Sequence, residues 1–323
     1  MIRFPDVVSL AQTNPDFARD VIEGLSESAK RNPSRWLYDE TGAMLFEEIT
    51  ALEEYYPTRT EIGILEQFSD EISEFIGGEA ILVEYGSGSS RKTRILLDAL
   101  RNPSAYVPVD ISEEMLQTAA AHISRRYAGI DVVPVAADFM RPFDLPEGLS
   151  DKHRRVAFFP GSTIGNLDGS ESIRFLRRVA GHVGAGGRAV IGFDLRKDVR
   201  ILIAAYDDAW GVTAAFNRNI LGRINRELAG DFDPLTFAHE ARWNEEMSRI
   251  EMHLVSQRRQ KAHVLSRTFD FTKGETIHTE NSYKYSVEQF SGLAERSGWT
   301  LERIWTDPNG LFALGGLAQR TAV

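Results

Sequence analysis

A glycine-bearing turn joins an apolar segment of the sequence to a segment with helical spacing. The apolar segment is Ile81-Leu82-Val83, and the turn reads Glu84-Tyr85-Gly86-Ser87-Gly88-Ser89-Ser90. Glycine suits this place because the chain must turn sharply and let a ligand approach a backbone without a Cβ atom. The turn alone is also typical of an ordinary strand-to-helix connection, and a full dinucleotide fingerprint would carry a further glycine at Arg91.

Acidic residues follow the next two apolar segments. Asp110 comes directly after Tyr106–Val109, and Asp138 comes shortly after Val132–Val135. In an open parallel sheet the carboxyl ends of the strands meet at one edge, so we expect both carboxylates to share a crevice with Gly86. Asp110 can accept from both ribose hydroxyls, and Asp138 from an adenine amino group while Phe139 packs against the ring. The alternative is that each Asp only caps the helix that follows it.

The charge beside the turn distinguishes two classes of nucleotide cofactor. A dinucleotide places its pyrophosphate at the N-terminus of the helix after the turn, where Glu84 would repel it. S-adenosylmethionine has no phosphate and carries a cationic sulfonium, which an acidic neighbour suits. The residues therefore favour an S-adenosylmethionine-dependent methyltransferase over an oxidoreductase.

Short apolar segments alternate with helical ones from residue 80 onward, which indicates an α/β fold with a parallel sheet covered on both faces. Helical spacing covers about 92–100, 112–127, 170–183 and 287–297, and two final strands, Leu301–Thr306 and Leu311–Gly316, are expected to form an antiparallel edge. The apolar segments that we assign to the parallel strands are Ile81–Val83, Tyr106–Val109, Val132–Val135, Val156–Phe159 and Ala189–Ile191. The prediction is a Rossmann-like class I methyltransferase sheet with an antiparallel C-terminal edge.

A second domain is predicted from the segments that break this alternation. The first 75 or so residues and residues 198–228 have helical spacing, whereas 235–285 alternates as antiparallel strands do. We therefore assign 61–195 and 286–323 to a cofactor-binding methyltransferase domain. Residues 1–60 and 196–285 are assigned to an α+β substrate-binding domain.

Composition excludes several classes of function. The chain has 323 residues, a formal net charge of -10 and no cysteine, so nucleic-acid binding, disulfides and thiolate metal sites are not expected. The histidines lack the i, i+4 spacing of a helical zinc site, and we expect no metal, with His239, His253, His263 and His278 serving structural roles. No leader or membrane-spanning segment is recognisable, which predicts a cytoplasmic protein, and we expect a monomer.

Several longer motifs resemble the histidine Nα-methyltransferases of ergothioneine biosynthesis, and the resemblance covers nearly the whole chain. Members of that family convert histidine to its trimethylated betaine, hercynine, with three S-adenosylmethionine molecules. The motifs are Tyr38–Gly42, Phe46–Thr50, Glu54–Glu61, Gly161–Asn166, Ala205–Asp208, Thr213–Asn217 and Thr279–Ser282.

The resemblance implies two sets of site residues. By position it implies cofactor binding by Gly86, Lys92, Asp110, Asp138 and Phe139, and it gives Asn166 and Tyr38 catalytic roles. The implied substrate pocket consists of Tyr38, Phe46, Tyr55, Gly161, Asn166, Tyr206, Met252, Glu280 and Ser282.

Histidine chemistry gives these positions sensible tasks. Glu280 can accept from an imidazole N–H, and Ser282, two residues along the same strand, can satisfy the other ring nitrogen. Tyr38 and Tyr206 can donate to the substrate carboxylate. The amide oxygen of Asn166, on the loop after a predicted strand, can hold the amine.

Aromatic residues are suited to the product, whose trimethylammonium group donates no hydrogen bond. Phe46, Tyr55 and Phe216 are the candidates for that contact, or else are ordinary core residues. Two other functions stay open. One is methylation of another amino acid or aromatic amine such as a tryptophan derivative, against which Glu280 argues; the other is a non-catalytic S-adenosylmethionine-binding module.

Overall fold

The structure, a computed structural model, describes residues 14–88, 90–149 and 152–320, with the side chains of 114 and 115 left out. These residues form two compact units. The first unit contains the described residues up to Tyr55 together with Val199–Asn244 and Ile250–Asn281. The second unit contains Tyr56–Asp198, Glu245–Arg249 and the described residues from Ser282 onward.

Helices occupy the places that the sequence spacing predicts. The N-terminal region is helical as expected, and the helical segment predicted over 198–228 consists of two helices. The helices are α1 Pro15–Ser26, α2 Glu40–Ala51, α3 Tyr56–Gln67, α4 Ser69–Ile76, α5 Arg91–Ala99, α6 Glu113–Arg126, α7 Gly169–Val183, α8 Val199–Tyr206, α9 Val212–Glu227 and α10 Val287–Arg296.

Side-chain caps explain where three of these helices begin. The side chain of Asn14 accepts from the first turn of α1. A capping box joins Asp168 to Glu171 at α7, and another joins Ser286 to Gln289 at α10. Each box satisfies backbone N–H groups that would otherwise lack a partner inside the helix.

Strands of the second unit form one sheet, which contains eight strands among the described residues. The strands are β1 Ile81–Tyr85, β2 Ala105–Asp110, β3 Asp131–Val132, β4 Val135–Ala136, β5 Arg155–Phe159, β6 Arg188–Asp194, β12 Trp299–Thr306 and β13 Phe312–Gln319. Their order in the sheet is β12-β13-β6-β5-β1-β2-β3, with β4 also paired to β2.

Strand direction in this sheet matches the prediction. The pairs β1–β2, β1–β5 and β5–β6 are parallel, whereas β13 is antiparallel to both β6 and β12. The predicted α/β fold with an antiparallel C-terminal edge is therefore confirmed. The predicted third strand, 132–135, is instead two short pieces on either side of Pro134, because proline has no N–H to donate to a ladder.

Alternate residues of the central strands pack into separate apolar clusters, one on each face of the sheet. On β1, Val83 joins the cluster that contains Phe175 of α7, whereas Leu82 joins the cluster that contains Leu65 of α3. Burial of such a side chain contributes about 1.5–3 kcal/mol. The apolar sequence of β1 is explained by this burial on both faces.

The first unit holds the strands of the predicted insertion. These are β7 Phe237–Asn244, β8 Arg249–Ser256, β9 Gln260–Val264, β10 Arg267–Phe271 and β11 Thr276–Tyr283. Strand β8 lies between β11 and β7, and β9 pairs antiparallel with β10. Within the described part of the chain, no helix is long and apolar enough to cross a bilayer.

Candidate functional site

The glycine turn after β1 lies against the ends of two neighbouring segments of the second unit. The Gly86 N–H donates to the Val109 carbonyl at 2.8 Å. Gly86 has a φ of +74°, and a Cβ atom there would stand 3.8 Å from the Phe139 ring. Gly88, with a φ of +43°, faces open space. The backbone of the turn is therefore not covered by a side chain of its own beside Phe139, as an approaching ligand requires. Ser89 lies outside the described residues.

The two predicted acidic residues lie at neighbouring strand ends. The backbone carbonyl of Asp110 accepts from the Ala137 N–H at 2.9 Å, which joins the end of β2 to the segment that carries Asp138. Oδ1 of Asp110 accepts from the Ser112 N–H at 3.1 Å, and Oδ1 of Asp138 from the Met140 N–H at 2.9 Å. Each carboxylate therefore orders its own turn with one oxygen. Gly86, Asp110 and Asp138 are brought together, as an adenosine site needs.

Glu84 was expected to present a negative charge beside the glycine turn, but the structure buries its side chain. Its side chain is buried at 1% exposure and accepts from the hydroxyls of Thr93 and Tyr106. Burial raises the pKa of Glu84 to about 8, although those hydrogen bonds oppose the rise. Glu84 is therefore a largely protonated clamp between β1, α5 and β2, and the expectation that its charge repels pyrophosphate is wrong.

Lys92 is paired with a carboxylate that the sequence alone does not single out. Its Nζ lies 2.5 Å from Oε2 of Glu61, which is fully buried. The same carboxylate accepts from the Gly161 N–H at 2.8 and 3.0 Å, and a Cβ atom on Gly161 would stand 3.4 Å from the Lys92 Nζ. Glu61 thus holds the loop after β5 to the start of α5, and brings two predicted site residues side by side.

Asn166 ends a short 3-10 helix, Thr163–Asn166, on this loop. A Cβ atom on Gly165 would stand 2.9 Å from the Tyr283 carbonyl, so only glycine lets the loop lie this close to the end of β11. Within the second unit, Asn166 and Ser282 are consequently held in adjacent segments.

A buried ion network lies beside Ser282 in the second unit. Lys284 is 1% exposed, and its Nζ donates to the Ser282 Oγ at 2.8 Å and lies 2.7 Å from Oδ2 of Asp194. Lys197 and the Tyr56 hydroxyl also donate to Asp194. Burial alone would raise the pKa of Asp194, but the charges of Lys284 and Lys197 hold it below its usual value.

An aromatic cluster occupies the first unit at the positions that the resemblance implies. The ring centroids of Tyr38 lie 5.4 Å from those of both Phe46 and Phe216, in edge-to-face geometry. Tyr55 lies 6.0 Å from Phe46 and 6.2 Å from Tyr206. Five rings contributed by α2, α8, α9 and the segments beside them therefore form one continuous group.

The carboxylate of Glu280 affects the pKa of Tyr38 in this aromatic cluster. Burial, followed by the negative charge of Glu280, raises the pKa of Tyr38 well above its usual value. Glu280 itself is 8% exposed. Tyr38 consequently keeps its proton and is a hydrogen-bond donor, which argues against a role as a phenolate base.

A hydrogen-bonded scaffold lies beside the residues predicted to bind the substrate, and no sequence pattern indicated it. The buried Asn217 accepts from the Thr279 hydroxyl at 2.6 Å and donates to Nδ1 of His239 at 2.9 Å. Nε2 of His239 in turn donates to the Tyr206 carbonyl at 2.7 Å. The Thr279 hydroxyl also contacts the Met252 carbonyl at 3.0 Å. This scaffold joins α8 and α9 to the strands that carry Met252 and Glu280.

Comparison with known proteins agrees with this arrangement. A family model described as "Histidine-specific methyltransferase, SAM-dependent" matches residues 17–319, where SAM is S-adenosylmethionine. The chain is 43% identical over 302 residues to a histidine N-alpha-methyltransferase of Mycobacterium tuberculosis (strain CDC 1551 / Oshkosh), with 92% of each chain covered. A protein of the same name from Mycolicibacterium smegmatis is 43% identical over 301 residues, again with 92% of each chain covered.

A fungal relative matches less closely. Ergothioneine biosynthesis protein 1 of Schizosaccharomyces pombe is 29% identical over 292 residues, which cover 86% of this chain and 38% of that protein. The family model spans nearly all of the described residues, and both mycobacterial relatives are covered over almost their whole length. The chain belongs to the family of histidine-specific, SAM-dependent methyltransferases.

Proposed function

We propose that this enzyme transfers methyl groups from SAM to the α-amino nitrogen of L-histidine, giving Nα,Nα,Nα-trimethylhistidine for ergothioneine biosynthesis. The observation that carries the proposal is the group of five aromatic rings in the first unit, where the negative charge of Glu280 contributes to the raised pKa of Tyr38. An imidazole N–H satisfies such a carboxylate. The surrounding ring faces suit a methylated ammonium.

The second unit supplies the groups that we propose for the cofactor. The backbone at Gly88 faces open space, and Oδ1 of Asp110 and of Asp138 orders the adjacent turn. Oδ2 of Asp138 lies 3.5 Å from Nε of Arg141, so an adenine amino group would share this carboxylate with that guanidinium. We propose that Asp110 binds the ribose hydroxyls, that Asp138 binds the adenine amino group, and that Phe139 packs against the base. Bound SAM supplies an electrophilic methyl group, and all other tasks are left to the chain.

Substrate recognition is proposed to rest on fixed donors and acceptors. In the first unit, Glu280 accepts from the imidazole, and Tyr38 and Tyr206 donate to the substrate carboxylate. For Asn166 and Ser282, which belong to the second unit, binding of the amine and of the second ring nitrogen stays a prediction from the resemblance. Positioning of this kind supplies a large part of the acceleration in a displacement reaction.

Mass spectrometry tests the proposal. The enzyme is incubated with SAM and an equal mixture of the twenty amino acids, and a gain of up to three methyl groups on histidine alone is expected. Methylation of another amino acid would replace histidine as the substrate. Calorimetric binding of SAM without any methylated product would instead indicate a non-catalytic module.

We also propose that the enzyme acts as a monomer. Sedimentation at micromolar concentration is expected to give the mass of one chain, 36.2 kDa; a dimer mass would contradict this.

A further inference from the structure

Three side chains that could bind a metal ion meet on the sheet of the first unit, and none has a role in the proposed reaction. They are Glu251 and His253 on β8 and His278 on β11. Each offers one ligand atom, and these atoms all lie within 4.8 Å of one another. From these contacts we propose that Glu251, His253 and His278 bind one divalent transition-metal ion of the zinc, cobalt or nickel class.

The donor set matches that class of ion. Two imidazole nitrogens and one carboxylate oxygen form a recurrent set for Zn²⁺, with a water molecule in the fourth position. Imidazole also suits nickel and cobalt, whereas calcium and magnesium prefer sets made of oxygen alone. Ligands at about 2.0–2.1 Å from the ion lie about 3.4 Å apart in a tetrahedron, so atoms that now stand up to 4.8 Å apart would move closer together when the ion binds.

Outer hydrogen bonds already orient two of the three ligands. Nε2 of His278 lies 3.0 Å from the Glu280 carbonyl and donates to it, so its lone pair is on Nδ1. The Asn244 amide donates to Oε1 of Glu251 at 2.9 Å, while Oε2 lies 3.2 Å from Nε2 of His253. Metal-binding histidines and carboxylates characteristically have such second partners, which fix the tautomer and the ring orientation.

His253 is the most buried of the three proposed ligands. The residue is 7% exposed, and among the described residues its Nδ1 atom has no hydrogen-bond partner. Its ring lies nearly parallel to that of His278, with centroids 4.7 Å apart. Nε2 is the nitrogen that faces Glu251, so an ion in this cluster would bind Nε2, and Nδ1 would carry the ring proton.

The positive charge of Arg242 lies close enough to His253 to disfavour a cation there. Arg242 on β7 carries a positive charge, but both ends of its guanidinium are held by Glu240 at 2.8 and 2.9 Å. That pairing offsets the charge locally. The spacing of the histidines in the sequence did not predict this site, because only the pairing of β8 with β11 brings His253 and His278 together.

Cobalt titration of the tag-free, chelator-treated enzyme tests the site. We expect one Co²⁺ to bind per chain, with the visible absorption of a tetrahedral nitrogen and oxygen site, and Zn²⁺ to displace it. His253→Gln and His278→Gln should each weaken binding at least about tenfold. The matched control is His263→Gln, since His263 is exposed and paired with Asp231 away from this cluster.

A variant outside the ligand set guards against misfolding. Asn244→Ala keeps all three ligands and should weaken Co²⁺ binding by roughly 10–100-fold. Melting temperatures of the metal-free variants establish that each is folded. Absence of stoichiometric binding by the unaltered enzyme, or equal affinity in the control and in both ligand variants, would overturn the proposal.

Discussion

Glu280 is the residue on which selectivity for histidine should depend. Glu280→Gln replaces a carboxylate acceptor by a neutral amide at a residue that is 8% exposed. Hydrogen bonds that involve a charged group contribute about 1.5–3 kcal/mol, so histidine affinity should fall by roughly 10–150-fold. Isothermal titration of the SAM-free enzyme with histidine measures this change.

A second variant separates substrate binding from cofactor binding. Asp110→Ala should weaken SAM by a similar factor and leave histidine binding unchanged, whereas Glu280→Gln should show the reverse. Glu288→Gln, on the exposed side of α10, is the matched control and should change neither affinity. Equal loss of both ligands in the Glu280 variant would mean that Glu280 is structural.

Residue types and spacing predict much of the candidate site, but not its supporting partners. The glycine turn and Asp110 are recognisable because they stand at fixed offsets from apolar strands. Glu61 and Lys284 carry no such local signal. Glu61 lies on a helix and acts on Gly161, one hundred residues away along the chain, so only the folded structure shows why a buried carboxylate is needed.

At the scale of elements, Glu84 makes the contact between β1, α5 and β2 sensitive to pH. Its pKa in the folded chain, about 8, exceeds the usual 4.5, so the folded state binds more protons between these values. The stability that the protonated form contributes is therefore present at low pH and is lost as the pH rises towards 8. The loss amounts to roughly 4 kcal/mol at pH 8.

Glu84→Gln should remove this dependence. The amide is a neutral isostere, and it can still accept from the Thr93 and Tyr106 hydroxyls. We expect the variant to melt at a higher temperature than the unaltered chain at pH 8 and at nearly the same temperature at pH 5. Calorimetry at both pH values checks this, and an equal difference at the two values would show that Glu84 does not titrate in this range.

Element positions are predictable wherever one burial pattern runs without interruption. The five buried residues of β1 and the alternating residues of β8 and β11 mark strands by sequence alone. The segment 132–135 misleads because Pro134 is apolar yet cannot donate to a ladder. The position of Glu84 also misleads, because the sequence pattern of β1 does not show that two hydroxyls from other elements donate to this carboxylate.

At the scale of the whole molecule, the chain passes several times between the two units. Residues 245–249 belong to the second unit although the residues on both sides belong to the first. No break in composition or spacing marks these passages, because each crossing falls at or near the end of a regular element. Their positions follow from tertiary contacts that sequence patterns do not record.

The buried network around Asp194 should be a large contributor to the stability of the second unit. It ties the end of β6 to the start of α3 through Tyr56, and to the residue after β11 through Lys284. Lys284→Met removes one of the two ammonium partners of a fully buried carboxylate. Breaking a buried ion pair in this way costs about 3–5 kcal/mol, because the remaining charge lacks compensation.

Calorimetric melting measures this loss, and a double variant isolates its cause. Because the pKa of Asp194 is lowered, the stability that its ionised form contributes is present above the unfolded pKa of 3.8 and is lost as the pH falls through the folded pKa.

Lys284→Met combined with Asp194→Asn should cost less than the sum of the single changes, since no unpaired carboxylate remains. Lys261→Met, in an exposed pair with Asp270, is the control and should cost about 0–1 kcal/mol. Additive losses in the double variant would contradict the network.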